Sequence, residues 1–458
     1  MKGAIRTIPR SVHSSAAVRA GPLVFTSGFL GVSPGTGQLV RKFSDLDDDG
    51  KAFATGMLSV DGWVEGIGAQ FWQASKNVKA ALESEGSSLG ELVLLNFYSM
   101  QMHHHHLINA LRSKVFLPAN TPPNTGMQVA GNPAGALMQA AAIGFAANGS
   151  KWQRRLIKES SVSQAMSAYD LGVHVGPFLI TGDFVPGSKK LQRAIETYED
   201  VPSLSESLRP PDLVRGSREE TVRAQAWFLF ENIRDVLKEN DAKLEDVVKL
   251  RVYLVDMADA ASYAEIHAAF FGSHRPVVTF GTAVKLGRPE FRVAIEVTAV
   301  PPKLLPDPRY KPRFLTDESS RRVFGDGSDG VAVGPYILLG NSARSAPKAG
   351  AGAGFEELPD LGLRRGESVG TEFVFGPAMV EAWRALQNGD RLLKSAGASI
   401  RDAVSLSVYL LSISDLPAVD RVLRHVFPAK PPAVTVIQAP QMPVRGSSVE
   451  IEITAYKE

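Results

Sequence analysis

The chain has 458 residues, 44% hydrophobic and 21% charged, ample material for several cores. At about 150 residues per domain, that length suggests three domains. A formal net charge of +2 argues against an extended nucleic-acid surface, and the lack of cysteine excludes disulfides, thiolate metal ligands and a cysteine nucleophile.

From the N-terminus, MKGAIRTIPRSVHSSAAV lacks the apolar core of a secretory signal, and no apolar run approaches the roughly 18 residues of a membrane span. A cytoplasmic protein with no membrane partner is the expectation. GPLVFTSGF, from Gly21, reads as an apolar strand. A variable loop over residues 34–66 leads into a helix where Ile67, Phe71, Ala74, Val78, Ala81 and Leu82 recur at helical spacing. The strand VLLNFYSM follows, then a second helix and a closing extended pair. The series then restarts with GPFLITGDF from Gly176, and its helix carries Val222, Leu229, Ile233, Val236 and Leu237. Val248, Leu250, Val252 and Leu254 alternate in the next strand, a pattern that predicts one buried face and one solvated face. A second helix, AEIHAAFF, precedes the closing FRVAIEVTAV. The third series opens with GPYILLGNS from Gly334 and ends in SSVEIEITAY, where Ile451 and Ile453 alternate with Glu450 and Glu452.

The three series hold one register. The motif [QE]-x-W-x-x-x-x-N occurs at Gln70, Trp72 and Asn77, at Gln225, Trp227 and Asn232, and at Glu381, Trp383 and Asn388. Its asparagines lie 155 (232 − 77) and 156 (388 − 232) residues apart. Tyr98, Tyr253 and Tyr409 repeat at the same intervals, and Leu89, Leu244 and Ile400 keep step. The chain therefore reads as three tandem α+β repeats over 1–148, 161–300 and 320–458. The polar segment from Asn148 to Ser160 and the proline-rich one from Pro301 to Phe314 join them. A mixed sheet packed on two helices leaves one face bare, so the copies are expected to cover one another as a one-chain pseudo-trimer.

Several local features have bland readings that outweigh the functional ones. His103 to His106 form a surface tract, without the Glu of an H-E-x-x-H site. Asp45, Asp47, Asp49 and Gly50 begin like a calcium loop, but position twelve is Gly56 instead of glutamate. Trp72, Trp227 and Trp383 fit core packing better than ligand stacking. His267 and His425 read as structural, and His274 is a secondary choice for acid–base work. Ser27 invites a nucleophile reading, yet Gly182 and Gly340 take its place in the later series.

The strand ending in Ser-Gly, the helix with its asparagine, the V-x-V-Y-L strand, the helix ending FF before His-Arg-Pro, and the VEIEITA strand together resemble the Rid family, also called YjgF-like. Leu244 to Pro276 carries the likeness best. The resemblance implies chorismate-mutase-like domains, trimeric packing around a central barrel, and a ligand cleft at each subunit interface. It also implies hydrolysis of imines or enamines without metal or organic cofactor.

The arginine that grips the substrate carboxylate in such proteins is missing. Its matching positions are Asn124, Val278 and Val434, followed by Thr125, Thr279 and Thr435. Losing that contact forgoes roughly 1.5–3 kcal/mol, so either the ligand lacks that carboxylate or another arginine reaches in, with Arg292, Arg288 and Arg445 as the candidates. The acid that orients water matches Gln139, Ala294 and Glu450. The second copy, with Val278 and Ala294, then looks chemically empty. The first keeps Asn124, Thr125 and Gln139 as binding groups. The third holds the expected working site, with Glu450 as base, Thr435 and Gln438 as its wall, and the backbone near Gly340 and Asn341 polarising a carbonyl or imine. Triplicated cyclic-amide hydrolases use a Ser–Lys pair, and no lysine repeats here. The expected function is a hydrolase of C–N bonds in a small molecule. The alternative is a non-enzymatic pseudo-trimer that binds a metabolite or a protein. A ribonuclease role has little support from the charge.

Overall fold

The computed structural model describes residues 11–52, 62–102, 108–109, 111–112, 122–147, 149–158, 160, 170–317, 327–341, 358–359 and 371–458. The tract His103 to His106 lies outside them.

Three sheets with one strand plan account for most of the described chain. The first unit comprises β1 (Ala17–Ala20), β2 (Leu23–Thr26), β3 (Phe29–Leu30), α1 (Gly62–Ser84), β4 (Leu92–Ser99), β5 (Asn124–Gln128) and β6 (Met138–Phe145). The second has β7 (Arg154–Ile157), β8 (Gly172–Val175), β9 (Phe178–Thr181), the short pair β10 (Gly187–Ser188) and β11 (Arg193–Ala194), α2 (Arg218–Glu239), β12 (Val247–Leu254), α3 (Ala260–Phe271), β13 (Val277–Thr282) and β14 (Val293–Ala299). The third has β15 (Arg313–Leu315), β16 (Gly330–Val333), β17 (Tyr336–Leu339), α4 (Thr371–Ser395), β18 (Ala403–Leu410), α5 (Leu416–Val426), β19 (Ala433–Gln438) and β20 (Val449–Tyr456).

In each sheet the closing strand lies antiparallel between the opening hairpin and the central strand: β2-β6-β4-β5, β9-β14-β12-β13 and β17-β20-β18-β19. The outermost pair is parallel each time, β4 with β5, β12 with β13 and β18 with β19. A parallel pair needs a crossover, and the second helix supplies it, α3 in the second unit and α5 in the third. The central strands share an irregularity near their starts, at Leu92/Leu94, Val247/Lys249 and Ala403/Ser405. Both polar connecting segments contribute an edge strand, β7 and β15, to the sheet that follows.

The helix spacing holds. Ile67, Phe71, Ala74, Val78, Ala81 and Leu82 are fully buried, as are Val222, Leu229 and Ile233. The motif glutamine or glutamate ties each long helix to the start of the closing strand. Gln70 Oε1 accepts from the N–H of Leu137 at 2.7 Å, Gln225 Oε1 from Arg292 at 2.9 Å, and Glu381 Oε2 from Val449 at 3.0 Å. No helix among the described residues is long and apolar enough to cross a membrane.

The expected solvated face of the strands is buried instead. In β12, Leu250, Val252 and Leu254 join the core beneath the second unit's helices. Lys249 and Tyr253, on the opposite face, are also buried. That face meets the other two sheets. Phe25, Val93 and Phe145 of the first unit pack with Phe178, Ile180 and Val248 of the second and with Val331, Tyr336 and Val404 of the third. Tyr98, Tyr253 and Tyr409 share another such cluster.

Candidate functional site

The units touch in cyclic order, and each seam includes the free edge of a parallel pair. At the first seam, the Asp183 N–H donates to the Asn124 carbonyl at 3.1 Å, and β5 bridges to Lys285 through Gln128. At the second, the Phe280 N–H donates to Asn341 Oδ1 at 2.5 Å. At the third, the Gly28 N–H donates to the Val434 carbonyl at 3.1 Å, and Gln438 bridges to Gly131. The β5 edge thus meets the second unit, β13 the third, and β19 the first.

This order redistributes the expected site residues. Glu450 is fully buried and lies two residues from Glu452, so the two side chains share one face of β20. Glu452 reaches the second unit, pairing with Lys249 Nζ and accepting from Arg251 Nε at 2.9 Å. Glu450 therefore faces the second seam. There, Gly340 sits against the β13 backbone, and a Cβ placed on it would come within 3.2 Å of the Val278 carbonyl and 3.7 Å of Thr279 Oγ1. Asn341 joins them through Phe280.

Thr435 and Gln438 do not form a wall for Glu450. β18 separates β19 from β20, and Thr435 registers through Ser407 with Glu452. Two strand spacings put them about 10 Å apart. Both face the first unit: a Cβ on Gly28 would lie 3.0 Å from the Thr435 methyl and 1.9 Å from Gln139 Oε1. Gln139 itself is fully buried and donates to the Val436 carbonyl at 2.8 Å and to Asn132 Oδ1 at 3.1 Å.

The expectation of an empty second copy also fails, because Val278 and Ala294 border different seams. Ala294 lies in the strand beside Phe184, which bridges to Ile295, on the side of the first seam. Asn124 and Thr125 come from the first unit, with Arg112, which is 3% exposed and donates to Asn124 Oδ1 and, at 3.3 Å, to Asn109. Asp183 stands opposite, its N–H on the Asn124 carbonyl and its carboxyl beside the Gly126 N–H. Burial, and then the negative charge of Glu296, push that carboxyl up to about 8 despite Arg112 nearby. Asp183 and Arg112 are absent from the expectations above, although the TGDF against TSGF and LGNS comparison marks the first of them.

None of the expected substitute arginines hydrogen-bonds to the seam residues Asn124, Thr279 or Thr435 among the described residues. Arg292 donates to Asp259 Oδ2 at 3.0 and 2.7 Å, while Arg288 and Arg445 are exposed. The other local readings resolve structurally. Ser27 Oγ donates to the Ser15 carbonyl at 2.6 Å and accepts from the Val434 N–H at 2.9 Å, so it fastens the third seam and is no nucleophile. Asp47 Oδ1 accepts from Gly50 N–H at 3.0 Å as a helix cap, and Asp45 Oδ2 accepts from Arg41 N–H at 2.9 Å. Trp72 is buried, whereas Trp227 and Trp383 are half-buried against Phe270 and His425. His274 Nε2 lies 2.7 Å from the Val247 carbonyl. His267 stacks on Phe271, and burial lowers its pKa to about 4.

Some buried polar atoms at the seams lack hydrogen-bond partners among the described residues: Thr125 Oγ1 at the first, Thr279 Oγ1 and Asn341 Nδ2 at the second, Gln139 Oε1 at the third. Leaving such an atom unsatisfied costs about 1–3 kcal/mol, which a bound polar molecule would recover.

A family model described as endoribonuclease L-PSP matches residues 212–301 and 370–457. The chain is 35% identical over 94 residues to a RutC family protein of Pyrococcus abyssi, covering 20% of this chain and 60% of that one. It therefore spans less than two thirds of that relative. It is 34% identical over 137 residues to the 2-iminobutanoate/2-iminopropanoate deaminase of Mus musculus, covering 30% of this chain and 92% of the relative. The crystal structure of yeast Mmf1 is 21% identical, covering 32% of this chain and 98% of its own, with a TM-score of 0.24.

Proposed function

We propose, from the premise that this chain belongs to the endoribonuclease L-PSP family (the Rid or YjgF family), that it hydrolyses C–N bonds of the imine type at seams between three fused repeats. In this reading the repeats act as a pseudo-trimer and Glu450 positions the attacking water. The observation that carries the reading is the company Glu450 keeps. A fully buried carboxylate shares its seam with Thr279 Oγ1 and Asn341 Nδ2, two buried polar atoms without partners among the described residues. A carboxylate accepts a proton from water, while the amide and the hydroxyl can hold the nitrogen or oxygen of the substrate.

The imine substrate class rests on the family and on relatives that carry the deaminase name. Water would add to the imine carbon as Glu450 takes its proton. Return of that proton to nitrogen would give the carbinolamine, and passage of its hydroxyl proton through Glu450 to the same nitrogen would then break the C–N bond, release ammonia and leave a carbonyl compound. Replacing Glu450 with Gln tests this directly, and Gln139 shows that the fold accepts glutamine at the corresponding place in β6. Ammonia release from a panel of imines and amides should fall roughly a hundredfold. Unchanged turnover would remove Glu450 from the mechanism.

A second reading, binding without turnover, draws on the absent arginine and on Gln139 where the family acid would stand. It predicts saturable ligand binding with no ammonia release from wild type. RNA cleavage draws only on the family's description: Lys249 and Arg251, the cations on the inward face, are already paired with Glu452.

A further inference from the structure

Asp183 and Asn341 hold equivalent positions in the fold. Each lies two residues beyond the second strand of its hairpin, β9 or β17, and each uses a side-chain oxygen to cap the free edge of a neighbouring unit's strand. Asn341 Oδ1 accepts from the Phe280 N–H, and the Asp183 carboxyl lies beside the Gly126 N–H. That cap uses one terminal atom. The other terminal atom of Asn341 is the amide nitrogen, a hydrogen-bond donor without a partner among the described residues. The other terminal atom of Asp183 is an oxygen, which can donate only when protonated.

The surroundings keep the proton on it. Glu296 on β14 adds negative charge, the Arg112 guanidinium opposes it, and burial penalises the ion most, leaving the carboxyl neutral up to about 8. Tyr253 on β12 donates to Glu296 Oε1 at 3.2 Å, and Arg251 pairs with the same glutamate at 3.3 Å. Neither removes the carboxylate that raises Asp183. On the β5 side, Thr125 is 1% exposed, and its hydroxyl has no partner among the described residues. The first seam thus offers a donor and a hydroxyl, just as Asn341 and Thr279 do at the second. Its donor can also give its proton away.

We propose that the first seam is a second reactive site, distinct from that of Glu450, in which Asp183 is the general acid for a small imine held beside Thr125. This rests on the reading that the seams hydrolyse C–N bonds. Asp183 protonates the imine nitrogen. Water adds to the carbon while the carboxylate takes one of its protons. The carboxyl then protonates the carbinolamine nitrogen, the C–N bond breaks, and ammonia leaves. The remaining hydroxyl proton returns to Asp183 as the carbonyl forms. A capping role alone would need no proton, which makes Asp183→Asn informative: Asn341 shows that asparagine caps this edge.

The test measures ammonia release from a panel of small imines, with and without a carboxylate, in wild type, E450Q, E450Q/D183N and E450Q/T125V. E450Q should retain a rate that declines as pH rises through about 8. Adding D183N should lower it roughly a hundredfold and abolish that decline. T125V should lower it about tenfold with an unchanged melting temperature, since the hydroxyl has no partner among the described residues. An unchanged rate and pH profile on adding D183N would leave Asp183 a cap and overturn the proposal. Loss of all release in E450Q would overturn it too, while leaving the Glu450 reading intact. A silent wild type would end both.

Discussion

Asp183 is one atom's identity away from Asn341, and that difference has a consequence for folding as well as for chemistry. The unfolded carboxyl titrates near 3.8, and the folded one near 8. Between those values the folded chain holds a proton that the unfolded chain has released. Stability contributed by this group is full below 3.8 and is lost as pH rises through the folded value. Urea unfolding of D183N at several pH values should show a flatter decline across that window than wild type, and parallel curves would contradict the assignment. Individual residues were the least legible part of the sequence. Glu450 was visible as a candidate because the closing VEIEITA strand resembles the family's, and Glu450 matches the acid of that strand. Its neighbours were not, because Thr435 and Gln438 belong to the same copy yet face a different unit. Ser27 was set aside as a nucleophile because Gly182 and Gly340 replace it, but nothing in the sequence signals the Ser15 and Val434 backbone groups that occupy its hydroxyl.

The elements were far more legible, since each rests on a local period. The long helices follow their apolar spacing, and the recurrent Gln or Glu has a plain reason: it accepts from backbone N–H groups where the closing strand begins. Gln225 also donates to the Ile195 and Glu290 carbonyls at 2.8 Å each. Gln225→Leu would strand three backbone groups in a fully buried site. A loss of about 2–3 kcal/mol in chemical denaturation is expected, and a loss below about 0.5 kcal/mol would deny the motif this role. The strand period was read correctly for one face and wrongly for the other. Polar residues at every second position normally mark solvent. Here Lys249, Arg251, Glu296 and Glu452 satisfy one another where the sheets meet, so polarity marks an interior. Period alone cannot separate those cases.

At the scale of the molecule, the seams exist because each sheet's edge and inward face meet another unit. The ion cluster around Arg251 adds an asymmetry that three identical copies would lack, since Asn96 and Ser407 occupy the corresponding places in β4 and β18. The first and third units are farthest apart in sequence, yet Gly131 and Gln438 are bridge partners. The absence of native cysteine makes this closing contact open to a clean test. Gly131→Cys with Gln438→Cys places two thiols on paired backbone positions, where Cα separations of about 4.5–5.5 Å suit a disulfide. Under mild oxidation the double variant should form the bond within a single chain, at a yield independent of protein concentration. Failure to form it, or formation only between chains as concentration rises, would mean that the units do not close on one another and that no seam holds Glu450 or Asp183.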